Sequence, residues 1–240
     1  MLRSTSDPVI ASASPPDRAG RKALALTDLC MLRPLPEPVL EEIDRHLTGF
    51  LQAAEARVRA QAALKLSQCD WAPLETIRIL AFDAYAVSAP VLLHSECLKE
   101  QDLLALAGLG AEQRSALAKR RVISDKLAER ISQYRERGCL ALLFANLGAQ
   151  LTATCAEKTA DIIKADAMLQ SALSRRGSLE LEFAQALYEA AGEAVSGLLK
   201  EVCPEALDHL GEYGTADDED KLDDLGASLT SELHKGDALN

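Results

Sequence analysis

The sequence predicts an all-α chain: a right-handed α-α superhelix of four to five short helical pairs with a long C-terminal capping helix. Three observations predict it. An apolar stretch, a polar break and a fresh helix start recur, with the breaks at Ser67, Ser95, Arg120, Asn146 and Arg175, spaced 28, 25, 26 and 29 residues apart. A period of that size is one supersecondary unit, which buries its apolar face only by stacking on its neighbours. The apolar content is 48% with only 4% aromatics, and is carried by Ala and Leu, the best apolar helix formers. No convincing run of β-branched residues in strict alternation signals a strand.

The elements follow in order. Residues 1–22, with Ser4, Ser6, Ser12, Ser14 and prolines at 8, 15 and 16, bury little and are expected to be flexible. Ala23 to Leu32 is a short apolar piece with Thr27 or Asp28 as its cap, ended by Pro34, Pro36 and Pro38. A helix begins near Pro38, with Leu40, Ile43, Leu47, Phe50 and Leu51 on one face. Val58 to Leu66 is the next helix and ends near Ser67; Pro73 then opens another. Val87, Val91 and Leu92 precede the break at Ser95, and Leu98 to Leu106 follow it, stopped by Gly108 and Gly110. Ser124 caps a helix through Leu127, Ile131 and Tyr134, which Gly138 ends. Leu140 to Phe144 lead to the turn at Asn146 and Gly148, and Thr152 or Thr154 caps the next helix. From Ser178 to Cys203 a continuous stripe reads as the longest helix, closed by Pro204. The domain expected from this reading spans residues 23–213.

Residues 214–240 carry eight acids against two lysines and read as a disordered acidic tail, although Leu222, Leu225, Leu229 and Leu233 recur at helical spacing. The tail holds more than half of the net charge of −11. An acidic chain is a poor duplex binder, because phosphate affinity comes from clustered Lys and Arg. The six cysteines (Cys30, Cys69, Cys97, Cys139, Cys155, Cys203) are scattered without a CxxC, and no apolar run approaches the ~20 residues of a membrane span. With no leader-like apolar segment near Met1, a cytoplasmic protein with reduced, packed thiols is expected.

From about Ala25 to Ile163 the chain resembles a helical-repeat family of alphaproteobacteria catalogued as domain of unknown function number 2336. The resemblance is carried by Leu26-Thr27-Asp28-Leu29, by Asp83, Val87, Pro90-Val91-Leu92, Ser95, Leu98 and Asp102-Leu103, by Leu117-Ala118, Arg120 and Ile123-Ser124, and by Leu143, Ala145-Asn146, Gly148-Ala149 and Leu151. HEAT-like repeats share this cadence. Lys99 departs from the pattern where a Ser cap is usual, and Leu147 where Pro often follows Asn. The resemblance implies a HEAT-like solenoid and no activity.

Chemistry is sparse in the sequence. There is no GxSxG, HExxH, GxGxxG or phosphate loop. His94 and Cys97 sit three residues apart, but a zinc site would need two more ligands, for example Cys69 and Cys155, so no metal or other cofactor is expected. Lys119, Arg120, Arg121 and Arg114 form a compact basic cluster, echoed by Arg175-Arg176. If the units stack in register, Ser95, Arg120, Arg121, Asn146 and Arg175 line one edge of a groove. The function expected is non-enzymatic: recognition of a protein partner, an acidic or helical segment, or this chain's own tail. The alternative is nucleic-acid binding or DNA-base repair, because some HEAT-like proteins are base glycosylases; the scarcity of aromatics argues against it.

Overall fold

The structure is a computed structural model and describes residues 16–211. All regular elements among the described residues are helical. The chain divides into two compact units between Ala149 and Gln150.

The first unit holds α1 (Arg18–Leu32), α2 (Glu37–Ala53), α3 (Ala56–Leu66), α4 (Leu74–Ala81), α5 (Tyr85–His94), α6 (Glu100–Ala107), α7 (Ala111–Leu117), α8 (Asp125–Ser132) and α9 (Arg137–Ala145). Alternate helices pack on one another. One row runs α1, α3, α5, α7, α9; in the other, α2 packs on α4 and α6 on α8. The spacing of apolar residues explains this order. Val58, Ala62 and Leu66 of α3, Val87, Val91 and Leu92 of α5 and Leu117 of α7 are all buried. A short helix with so narrow a stripe is covered by its neighbours in the row together with the helices of the other row that pack beside it, as α2 does on α1 and α4 on α5.

Polar side chains reinforce the same register. Arg59 on α3 pairs with Asp83, and Arg78 on α4 donates to Asp102 at 3.0 Å, each across 24 residues. Arg114 on α7 donates to Glu136 at 2.8 Å across 22 residues, and its guanidinium lies 3.9 Å from the Tyr134 ring. Asp102 also accepts from the Lys99 backbone N–H at 3.3 Å, the half of a capping box that needs no serine at Lys99.

The second unit holds α10 (Ala153–Ala165), α11 (Ala167–Ser174), α12 (Leu181–Ala191), a 3-10 turn (Gly192–Val195), α13 (Ser196–Val202) and α14 (Glu205–Gly211). Within it α10 packs on α12 and α11 on α13, around Phe183, Leu187 and Ile163.

Three expectations change. The first helix begins at Arg18, not Ala23: Asp17 caps it by accepting from the Gly20 N–H at 2.7 Å, and Thr27 is a buried mid-helix residue that donates to the Ala23 carbonyl. The helix after Ser124 stops at Ser132 rather than at Gly138, because Arg135 adopts φ 55°; Gly138 belongs to the first turn of α9. The long capping helix from Ser178 to Cys203 is broken, because Gly192 takes φ +62° and the chain turns through the 3-10 segment into α13. Asp166 separates α10 from α11 and caps α11 by accepting from the Met168 N–H at 2.8 Å. The acidic tail and the first 15 residues lie outside the described residues. Among the described residues no helix is long and apolar enough to cross a membrane.

Candidate functional site

The recurring breaks mark helix C-termini. Ser67 follows α3, Ser95 follows α5 and Asn146 follows α9, while Arg120 lies three residues beyond α7. The last carbonyls of a helix have no partner within it. At two of the breaks, Arg120 and Asn146, the side chain donates to carbonyls at or just beyond the end of an earlier helix. Arg120 donates from Nη1 to the Leu92 carbonyl at 2.7 Å and from Nη2 to the Ser95 carbonyl at 2.8 Å, both at the end of α5. Asn146 donates from Nδ2 to the Ala118 carbonyl at 2.9 Å and the Arg120 carbonyl at 2.7 Å, both at the end of α7. Its Oδ1 accepts from the Gly148 N–H at 2.9 Å. The next loop then pairs backbone to backbone, Ile123 N–H to Gly148 carbonyl at 2.9 Å. Gly148 is required there: a Cβ would stand 1.9 Å from the Arg121 carbonyl oxygen.

The earlier loops bond differently, Ser67 within its own helix and Cys97 and Trp71 across to the segment before. Ser67 Oγ donates to the Leu64 carbonyl at 2.9 Å, Cys97 Sγ to the Cys69 carbonyl at 3.4 Å, and Trp71 Nε1 to the Cys30 carbonyl at 2.9 Å.

This corrects the expected contact edge. Ser95 is fully buried, and its Oγ accepts from the Cys97 N–H. Arg120 is 8% exposed, and burial pushes its guanidinium below the usual arginine range. Asn146 is half-buried against backbone. Arg120 and Asn146 donate to backbone carbonyls beyond helix ends, and the Ser95 carbonyl is one of those acceptors; all three are engaged inside the fold. Arg175 is exposed but belongs to the second unit, at the C-terminus of α11. Only Arg121 of the basic pair faces solvent, with 82% of its side chain exposed.

The surface position is one residue away from the break. The loops after α3, α5 and α7 together line a cleft of about 610 Å³ within the first unit. Asp70 comes from the first loop, His94 and Glu96 from the second, and Lys119, Arg121 and Val122 from the third, all exposed; Arg120 lies along the cleft between them. Arg121 pairs with Glu96 across 25 residues. Asp70, Glu96 and Val122 are cleft residues that sequence reasoning passed over, and His94 entered it only as a metal candidate; their signal was position, near the conspicuous breaks.

The thiols offer no nucleophile in this cleft. Burial raises Cys30 and Cys139 to about 11 and also raises Cys69 and Cys97. Among the described residues no three His, Cys, Asp or Glu side chains gather to hold a metal ion.

Residues 87–233, more than half of the chain, match the family model described as "Uncharacterised protein conserved in bacteria (DUF2336)". The chain belongs to the DUF2336 family. The DUF2336 match begins inside α5, later than the expected start near Ala25, and extends well beyond Ile163. No curated protein and no solved structure gives a match.

Proposed function

We propose that this DUF2336 protein is a non-enzymatic recognition module whose helical pairs wind as a right-handed, HEAT-like superhelix and present the loop cleft to a protein partner. The observation that carries the reading is the cleft itself. Three successive loops meet there, and their backbones are held by hydrogen bonds from neighbouring repeats. A loop fixed in this way loses little conformational entropy when a partner binds, and that preorganisation favours affinity. The exposed side chains of the cleft combine cations with the apolar Val122, which is 63% exposed. Arg121, Lys119 and Val122 are the contact residues of this reading.

The test places a photo-crosslinking amino acid at position 122 and, as a control, at the exposed Leu109 in the same unit. A partner captured from position 122 alone, lost in the Lys119→Glu, Arg121→Glu double variant at unchanged circular dichroism, supports the reading. Capture that ignores the double substitution, or equal capture from position 109, overturns it.

A further inference from the structure

Resting on that reading, we propose that the cleft selects an acidic peptide segment bearing an apolar residue among its carboxylates, and that Glu96 occupies Arg121 in the peptide's place until it binds. Four observations converge on this ligand. First, the charged lining is Lys119, Arg120 and Arg121 against Asp70 and Glu96, a net positive spot on a chain of net charge −11. A local field opposite to the global one concentrates an anionic partner at that spot.

Second, Arg120 cannot swing away. Both of its Nη atoms are committed to helix-end carbonyls, while its buried Nε–H has no hydrogen-bond partner. Its charge is balanced by carbonyl dipoles and by the nearby Glu96, with no carboxylate bonded to it. Such a buried, fixed cation favours a second anion at the cleft. Third, Arg121 and Glu96 form an exposed pair, with 82% and 52% of their side chains accessible, and Lys119 makes no ion pair among the described residues. Exposed pairs hold weakly and exchange readily for another carboxylate. Fourth, Val122 and the half-buried Leu93 add apolar contact area that a phosphate backbone would leave unused, which favours a peptide over a nucleic acid.

The experiment is a fluorescence-anisotropy titration of the full chain with a fluorescein-labelled dodecapeptide of Asp, Glu and Leu. Its arms are the amide analogue (Asn for Asp, Gln for Glu) and a twelve-nucleotide oligothymidine. The acidic peptide is expected to bind most tightly. Arg121→Gln should weaken it about two- to fivefold, the range of one exposed ion pair. Glu96→Gln should tighten it by a similar factor, because the internal competitor is gone while its shape remains. Both effects should shrink as salt rises.

An affinity that Glu96→Gln leaves unchanged or lowers overturns the inference. So does an oligothymidine that binds more tightly than the peptide. An amide analogue that binds as well as the acidic one, and is weakened by Val122→Asp, also overturns it while leaving protein recognition at the cleft standing. Absence of binding by either peptide, together with equal crosslinking from positions 122 and 109, removes both.

Discussion

Replacing Arg120 by methionine tests the claim that this break residue closes a helix end rather than faces a partner. The side chain is 8% exposed and donates to two carbonyls, Leu92 at 2.7 Å and Ser95 at 2.8 Å. Methionine keeps the apolar stem and removes both donors. Each buried acceptor left unsatisfied costs about 1–3 kcal/mol. Part of that is offset, because the variant no longer buries a guanidinium whose charge burial disfavours. A net loss of about 2–4 kcal/mol follows, which for a chain of this size lowers Tm by about 4–16 °C. Thermal unfolding of the full chain, followed by circular dichroism at 222 nm, reads this directly. Arg121→Met is the control: its side chain is 82% exposed, so its loss should stay within about 0.5 kcal/mol. A melting point for Arg120→Met within a degree or two of the parent would refute the clamp, as would an equal loss in the control.

Three further outcomes are expected. Asn146→Asp should destabilise by more than about 2 kcal/mol in urea unfolding, because a carboxylate would face the Ala118 and Arg120 carbonyls that Nδ2 now serves; equal stability would contradict that assignment of the amide. Gly148→Ala should separate the loops joined by the Ile123 to Gly148 hydrogen bond, since its Cβ cannot stand 1.9 Å from a backbone oxygen. Hydrogen exchange at the Ile123 amide should accelerate, and unchanged protection would refute the close approach. The Arg114 guanidinium holds the Glu136 carboxyl below its ordinary 4.5, so this pair contributes stability that is present above that pH and lost as pH falls through the lower, folded-state value. Glu136→Gln should therefore melt below the parent at pH 7, and the gap should narrow as pH falls below the ordinary carboxylate range; a gap that stays constant with pH would count against the pairing.

The sequence by itself determined the helical class and the ends of α3, α5, α9 and α11, which stop at Ser67, Ser95, Asn146 and Arg175. Spacing of 25–29 residues between polar breaks is legible because each helix pair must turn at the same place to stack. Ser124 and Thr152 could be named as caps because a short hydroxyl side chain reaches the N–H groups of its own first turn, and they accept from Leu127 and Cys155. Local chemistry of that kind needs no partner from elsewhere in the chain.

What the breaks do was decided only by tertiary structure. A charged or amide side chain next to a helix end is equally suited to solvent and to the carbonyls of a neighbouring helix. The choice depends on whether that neighbour arrives within 3 Å, as it does for Arg120 and Asn146 but not for Arg121. The break at Gly192 was hidden for a similar reason: a glycine inside an apolar stripe adopts a helical or a left-handed conformation at little cost, and packing selects between them. Periodicity records which positions must recur, while the direction in which each one points is set by the repeat stacked beside it.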